Sequence, residues 1–87
     1  MLEELLNQVV VVDLRSEFVC LGMLSRHCDN FLELKNADLH DLRDTETSRE
    51  NYVAESCATG VKRNRRRLLL LRAEIVAVAR MEDVVAD

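Results

Sequence analysis

The chain has 87 residues, 48% of them hydrophobic, and a formal net charge of −4. A chain of this length buries only about 60% of its unfolded surface, so a single small domain is marginally stable alone and gains from oligomerisation. The acidic balance argues against a protein that coats nucleic acid over its whole surface, although basic residues are concentrated between Lys62 and Arg72.

The sequence predicts one domain over residues 1–87. It contains no proline, only two glycines and no repeat, so nothing indicates a linker, and we expect an insertion at about residues 44–62. The cysteines Cys20, Cys28 and Cys57 are odd in number, and the sequence shows neither a secretory segment nor an apolar run of membrane-spanning length. We therefore expect free thiols, a cytoplasmic location and no membrane contact.

The first third of the chain predicts a helix followed by two strands. Leucines at helical spacing in MLEELLNQ favour a short N-terminal helix. Val9 to Val12 are four successive β-branched residues and predict the first strand. Glu17 to Leu24 is apolar on both faces and predicts the second strand, in which Gly22 marks a bulge or sharp bend.

A third strand is predicted to begin with FLEL. Leu32 and Leu34 alternate onto one face, and Phe31, Glu33 and Lys35 onto the other. The apolar parity slips at Asn36, which predicts a bulge or a second short segment.

A short helix is predicted over Ser48 to Thr59, inside the insertion. Thr47 and Glu50 have the spacing of a capping box, and Gly60 stands where a helix C-terminal glycine belongs. Because it carries few apolar residues, we expect this helix to lie outside the main fold and to be removable.

Two short apolar segments near the end, Leu68 to Leu71 and Ile75 to Ala79, meet at Arg72-Ala73-Glu74 and predict a tight strand pair. Both faces of each segment are apolar, so something must cover the second face or the edge. The pattern predicts a mainly β fold, a small strongly bent barrel that assembles with copies of itself.

The chain resembles the Sm/LSm family, as a divergent member. The resemblance rests on the leading helix, VVVDLRSEFVCLGML with Gly22 two residues before Leu24, the loop into FLEL, and LLLLRAEIVAV. It implies a five-stranded barrel with an N-terminal helix and, here, a helical insertion before the last two strands. It also implies a ring in which the fifth strand of one subunit pairs with the fourth strand of the next.

RNA-binding members of that family carry an Asp-x-x-Met-Asn loop before the third strand and an Arg-Gly between the last two. Aligning Leu32 and Leu34 as core residues puts Phe31 at the usual asparagine and His27 near the usual aspartate, with Asn30 between them in the loop. Arg72 matches the arginine, but Ala73 replaces the glycine. The resemblance thus implies an RNA site at Arg72, Phe31, His27 and Asn30, with a base stacked between the aromatic ring and the guanidinium.

Phe31, Arg72 and the basic run each also have a structural interpretation. Phe31 either stacks on a base or packs beside Leu32, and Arg72 either faces a ring pore or forms an ion pair with Glu74 or Asp83. The run from Lys62 to Arg67 is either a phosphate-binding face or a charged guard on a strand edge.

The predicted function is a non-catalytic, ring-forming scaffold for protein or RNA assembly, and the alternative is a ring that binds single-stranded RNA at its pore. The sequence has no glycine-rich phosphate loop, nucleophile elbow or paired carboxylates, so we predict no catalysis and no cofactor. Its His and Cys residues lack the spacing of metal ligands, so we predict no metal site. The partners we expect are copies of the chain, single-stranded RNA, and a protein that contacts the helix at residues 48–59.

Overall fold

Five antiparallel strands form one sheet in the computed structural model, which describes residues 1–85. The sheet has the order β4-β3-β2-β1-β5, and the described part of the chain contains one α-helix, α1, between β3 and β4. The bounds are β1 Val9–Leu14, β2 Phe18–His27, β3 Phe31–Asp41, α1 Arg49–Thr59, β4 Arg65–Leu71 and β5 Ile75–Arg80. Short 3₁₀ turns cover Leu2–Leu5, Leu42–Asp44, Arg72–Glu74 and Met81–Asp83.

The sheet must be strongly bent, since a very short turn joins its two edge strands. A flat sheet of five strands is about 19 Å wide, whereas the chain from Leu71 to Ile75 reaches at most about 15 Å. The bend brings β4 and β5 over the same core, where Leu68 of β4 and Val78 of β5 both pack.

The bend does not close into a barrel. Within the described residues, β4 pairs with β3 and β5 pairs with β1, and no ladder joins β4 to β5. The predicted closed barrel and the predicted tight pairing of the last two strands are therefore wrong. The three-residue 3₁₀ turn at Arg72–Glu74 separates the strands instead of folding them into a hairpin.

Two irregularities between β2 and β3 produce the bend. Leu21 pairs with Asp38 and Met23 with Lys35, so two residues of β3 lie opposite Gly22 alone. Asn36 has a φ of 51°, in the left-handed region that asparagine tolerates. The bulges predicted at Gly22 and at Asn36 are confirmed as two sides of one irregularity, and a second one lies near Ser25.

The sheet buries side chains on both faces. The inner face, inside the bend, holds the larger core, and the outer face of β1 and β2 packs against α1 through Val11, Val19, Leu21 and Val53. The inner core consists of Val10, Val12, Leu14, Cys20, Leu24, Leu32, Leu34, Ala37 and Leu70.

The helical predictions are partly corrected. At the N-terminus, Leu2–Leu5 forms a 3₁₀ turn where a short α-helix was expected. The helix predicted at residues 48–59 is present, but its cap is Ser48, whose Oγ accepts a hydrogen bond from the Asn51 N–H at 3.1 Å, in place of Thr47. Gly60 ends the helix with a φ of 95°. The helix is not an external appendage, because Val53 is buried on the sheet and removing α1 would uncover the second core.

Gly22 is predicted to be required for the bend. A Cβ atom at this position would lie 3.1 Å from the Cα and Cβ of Ala37 and 3.2 Å from the carbonyl oxygen of Lys35. We expect Gly22→Val to lower the free energy of unfolding by about 2 kcal/mol, because the backbone of β3 has to move. Urea denaturation measures this. Gly22→Ala should show a smaller loss, and a Gly22→Val protein as stable as the parent would contradict the account.

Candidate functional site

The turn between β2 and β3 meets the turn between β4 and β5 at one corner of the sheet. The backbone N–H of Arg72 donates to the carbonyl oxygen of Asn30 at 2.9 Å, and the N–H of Cys28 donates to the carbonyl of Phe31 at 2.9 Å. The resemblance to the Sm/LSm family implied that these two turns form one site. The structure brings them together through the pairing of β3 with β4, which places Phe31 opposite Leu71.

The guanidinium of Arg72 is held against His27. Its Nη2 lies 3.2 Å from His27 Nδ1, and its Nε is buried without a hydrogen-bond partner in the described residues. Since arginine only donates, Nδ1 accepts and the ring proton is on Nε2, which lies 3.6 Å from a carboxylate oxygen of Glu3. The proposed ion pair of Arg72 with Glu74 or Asp83 is absent here, and Asp83 pairs with Arg80 at 3.0 Å.

Phe31 lies on the other face of the sheet from this corner. Phe31 is 37% exposed, whereas its neighbour Leu32 is 1% exposed and belongs to the inner core. Arg72 instead borders a depression with Leu2, Leu32, Ile75 and Val78. The structure therefore joins Arg72, His27 and Asn30 but does not place the ring of Phe31 opposite Arg72, and the predicted base sandwich is not preformed.

A cluster that the sequence did not predict lies beside Phe31 on the outer face. The carboxylate of Glu33, 4% exposed, binds the Nη2 of Arg26 at 2.8 Å, the Nε of Arg67 at 2.8 Å and the hydroxyl of Ser25 at 2.7 Å. Hydrogen bonds from Arg26 and Ser25, together with the two positive charges, lower the pKa of Glu33 to about 2. The cluster joins β2, β3 and β4 across the bend.

The basic run lies along the edge of the sheet. Arg65, Arg66 and Arg67 begin β4, which is an edge strand, and all three are exposed. Before the strand, Arg63 donates to the side-chain carbonyl of Asn36 at 3.1 Å. Charge at an exposed edge is the arrangement that protects a sheet from unwanted pairing, and it also leaves these arginines accessible to an anion.

Asp38 connects the insertion to β3. Its buried carboxylate accepts hydrogen bonds from the hydroxyl of Tyr52 and from the side-chain amide of Asn64, at 3.2 Å for the amide. Burial raises the pKa of Asp38, and the charges of His40 and Lys62 partly offset this effect. The ring of His40 stacks on Tyr52 with centroids 3.8 Å apart. These contacts anchor α1 and give the polar segment a structural role.

Two general features concern the described residues only. Within residues 1–85 no group of three or more His, Cys, Asp or Glu side chains is arranged to hold a metal ion. None of the helices in this range has the length and apolar character needed to cross a membrane.

The ionised Glu33 is predicted to stabilise the fold in a pH-dependent manner. Its pKa is lower in the folded state than its ordinary value of 4.5. Its contribution is therefore present above pH 4.5 and is lost as the pH falls toward 2. We expect Glu33→Gln to be less stable than the parent at pH 7 and the difference to shrink over this window, measured by urea denaturation of both proteins. A difference that stays constant with pH would contradict it.

Comparison with protein-family models gives no match for this chain, and comparison with curated proteins gives no significant similarity. The function is therefore argued from the geometry of the chain itself.

Proposed function

We propose that this chain is a non-catalytic, Sm-like subunit that assembles into a ring through the edges of β4 and β5. The observation that carries the proposal is that the bent sheet ends in these two strands, and neither has a partner on its outer edge within the described residues. An unpaired edge presents a row of amide and carbonyl groups that readily pairs with another strand.

Exposed apolar side chains support an assembly at these edges. Leu69 and Leu71 of β4 are 51% and 54% exposed, and Val76 of β5 is 67% exposed. Covering such surface contributes about 25 cal/mol per Å² of apolar area, which a small and marginal domain gains by association.

The order of apolar residues along the two strands favours antiparallel pairing between copies. β4 begins with Arg65, Arg66 and Arg67 and ends in leucines, whereas β5 begins with Ile75 and Val76 and ends in Arg80. When β4 of one copy runs antiparallel to β5 of the next, its leucines meet Ile75 and Val76, and its arginines lie beside Arg80, which is paired with Glu82 and Asp83. Parallel pairing would place the arginines opposite Ile75 and Val76.

A contact between different edges favours a ring over a symmetric dimer. Each copy offers one β4 edge and one β5 edge, so a head-to-tail contact repeats until the rotation closes. This is the arrangement that the resemblance to the Sm/LSm family implies.

The ring is proposed as a cytoplasmic scaffold without catalytic activity. Asp38, His40 and Tyr52 form a polar cluster under α1, and their contacts are with each other, Asn64 and Thr45. The solvent side of α1 carries Glu50, Asn51 and Glu55, which are exposed. We propose this side of the helix as the contact for a protein partner.

The edge contact is tested with a proline at Val76. This residue has no counterpart in β1, because the register of β5 shifts between Ile75 and Ala77. A proline there removes an N–H and disturbs the outer edge while leaving the paired positions of the β1 ladder in place. We expect light scattering to return an oligomer for the parent and a 10.0 kDa monomer for Val76→Pro.

Val76→Thr is the matched control, since threonine keeps the N–H and the β-branched shape. It should assemble as the parent does. A parent protein that is monomeric at micromolar concentration, or an oligomer unchanged by Val76→Pro, would contradict the proposed contact.

A second candidate function, binding of single-stranded RNA, is favoured by one observation. The Arg72 guanidinium is held by His27 and retains a buried Nε without a hydrogen-bond partner in the described residues, while the backbone N–H of Arg72 donates to the carbonyl of Asn30. In a ring, each subunit would supply one such corner around the axis. The guanidinium offers a flat surface for stacking and donors for a phosphate or base edge.

RNA binding at this corner is expected to depend on Arg72. We predict that Arg72→Ala weakens the binding of labelled oligo-U at low salt by about tenfold, because stacking and charge are both lost. Arg66→Ala, on the edge of β4, serves as the control and should change affinity little. Phe31→Ala should also change it little, since that ring lies on the outer face. Equal losses in Arg72→Ala and Arg66→Ala would indicate diffuse charge attraction instead of a site.

A further inference from the structure

A cleft of about 260 Å³ opens on the outer face of β2, β3 and β4 and reaches His27 of the Arg72 corner. Its walls combine charge with apolar surface. They are formed by Arg26, His27, Cys28, Phe31, Glu33 and Leu69.

Two guanidinium groups are held by Glu33, a carboxylate that lines the cleft, and of the two Arg26 also lines it while Arg67 reaches it through Glu33. Arg26 binds Glu33 through Nε and Nη2, at 3.2 and 2.8 Å, and Arg67 binds the same carboxylate through Nε at 2.8 Å. Because Glu33 is buried and further fixed by Ser25, it restricts both arginine side chains. Arg67 uses only its Nε in this contact, so its Nη groups remain for another acceptor.

The balance of charge at the cleft is positive. Two guanidinium groups and one ionised carboxylate leave a net charge of one, and the side chains of Arg26 and Arg67 are 71% and 61% exposed. A second carboxylate would restore neutrality and accept charge-assisted hydrogen bonds from groups whose orientation is already set.

Apolar side chains lie directly beside this charge. Phe31 lines the cleft together with Leu69, and Leu71 is paired with Phe31 on the neighbouring strand. Exposed aromatic and leucine side chains next to arginine are typical of sites that bind proteins. The volume of the cleft is enough for one or two amino-acid side chains. A single net positive charge on a chain of net charge −4 attracts a polyphosphate only weakly, so a peptide is the better fit.

We propose that this cleft binds a peptide segment in which an acidic residue is flanked by apolar residues. The carboxylate of the peptide lies between Arg26 and Arg67, and its apolar neighbours pack on Phe31 and Leu69. The cleft is built from one chain and uses the face of the sheet, whereas assembly uses the outer edges. Because one chain forms the cleft, the monomeric Val76→Pro variant should bind the same peptide, and its Leu69 and Arg67 are then free of the proposed subunit contact.

The experiment measures fluorescence anisotropy of a labelled peptide, Gly-Leu-Glu-Phe-Gly with blocked termini, against the full chain. Its partner peptide carries glutamine in place of glutamate. We expect the glutamate peptide to bind about tenfold more tightly and its affinity to fall with added salt. Equal binding of the two peptides would overturn the proposal.

Variants locate the site. Arg67→Gln and Phe31→Ala should each weaken binding about tenfold, while Arg66→Gln, one position away and outside the cleft, should behave as the parent. Loss of one arginine leaves the buried Glu33 carboxylate with fewer partners and could unfold the protein. A triple variant avoids this, because it removes the whole charged cluster and leaves no buried charge. It combines Arg26→Gln, Glu33→Gln and Arg67→Gln. A triple variant with a native circular dichroism spectrum and parental affinity would overturn the proposal. The proposal would also be overturned if the protein bound neither peptide but bound oligo-U, and if Arg67→Gln abolished the oligo-U binding.

Discussion

The close approach of Gly22 to Ala37 is the contact on which the arrangement of the sheet depends. Two residues of β3 lie opposite one residue of β2 at this point, and a side chain on Gly22 would meet the backbone of β3. The resulting bend lets a three-residue turn join strands at opposite ends of the sheet order. The same bend encloses the inner core and brings the Asn30 and Arg72 turns into contact.

The outer face of the sheet is only partly covered by α1, and the uncovered part is where exposed surface is left for binding. Helix α1 covers β1 and β2, and its anchoring through Tyr52 to Asp38 involves a buried carboxylate at the end of β3. The helix leaves Phe31, Leu69 and Leu71 exposed. The open edges supply the proposed subunit contact, and the uncovered part of the outer face supplies the proposed peptide cleft.

Local sequence signals predicted the strands and the bulge well. Alternation placed Leu32 and Leu34 on the core face and Phe31 on the opposite face, as the structure has them, and the parity slip located the bulge at Asn36. The same alternation already separated Phe31 from the core side, which argues against a base sandwich with Arg72. The helix cap was predicted at Thr47, one residue before the actual cap Ser48, because both side chains carry a hydroxyl that can cap a helix.

Contacts between distant segments could not be predicted in this way. The two last strands are adjacent in sequence, and a short linker suggested a hairpin, but the inner core and the ladders to β1 and β3 hold them apart. The Glu33 cluster depends on the register of β3 with β2 and on its register with β4. Arg26 of β2 pairs opposite Glu33, and Arg67 of β4 contacts the Glu33 carboxylate. The contact of α1 with Val11 and Leu21 likewise depends on which face the bend leaves uncovered.

Hydrogen exchange of the backbone amides in β4 and β5, followed as the protein is diluted, tests the central claim most directly. A head-to-tail ring predicts that outer-edge amides of both strands are protected at high concentration and lose protection together on dilution. Protection of only one strand would indicate a symmetric dimer, and outer edges that exchange freely at every concentration would contradict assembly through β4 and β5.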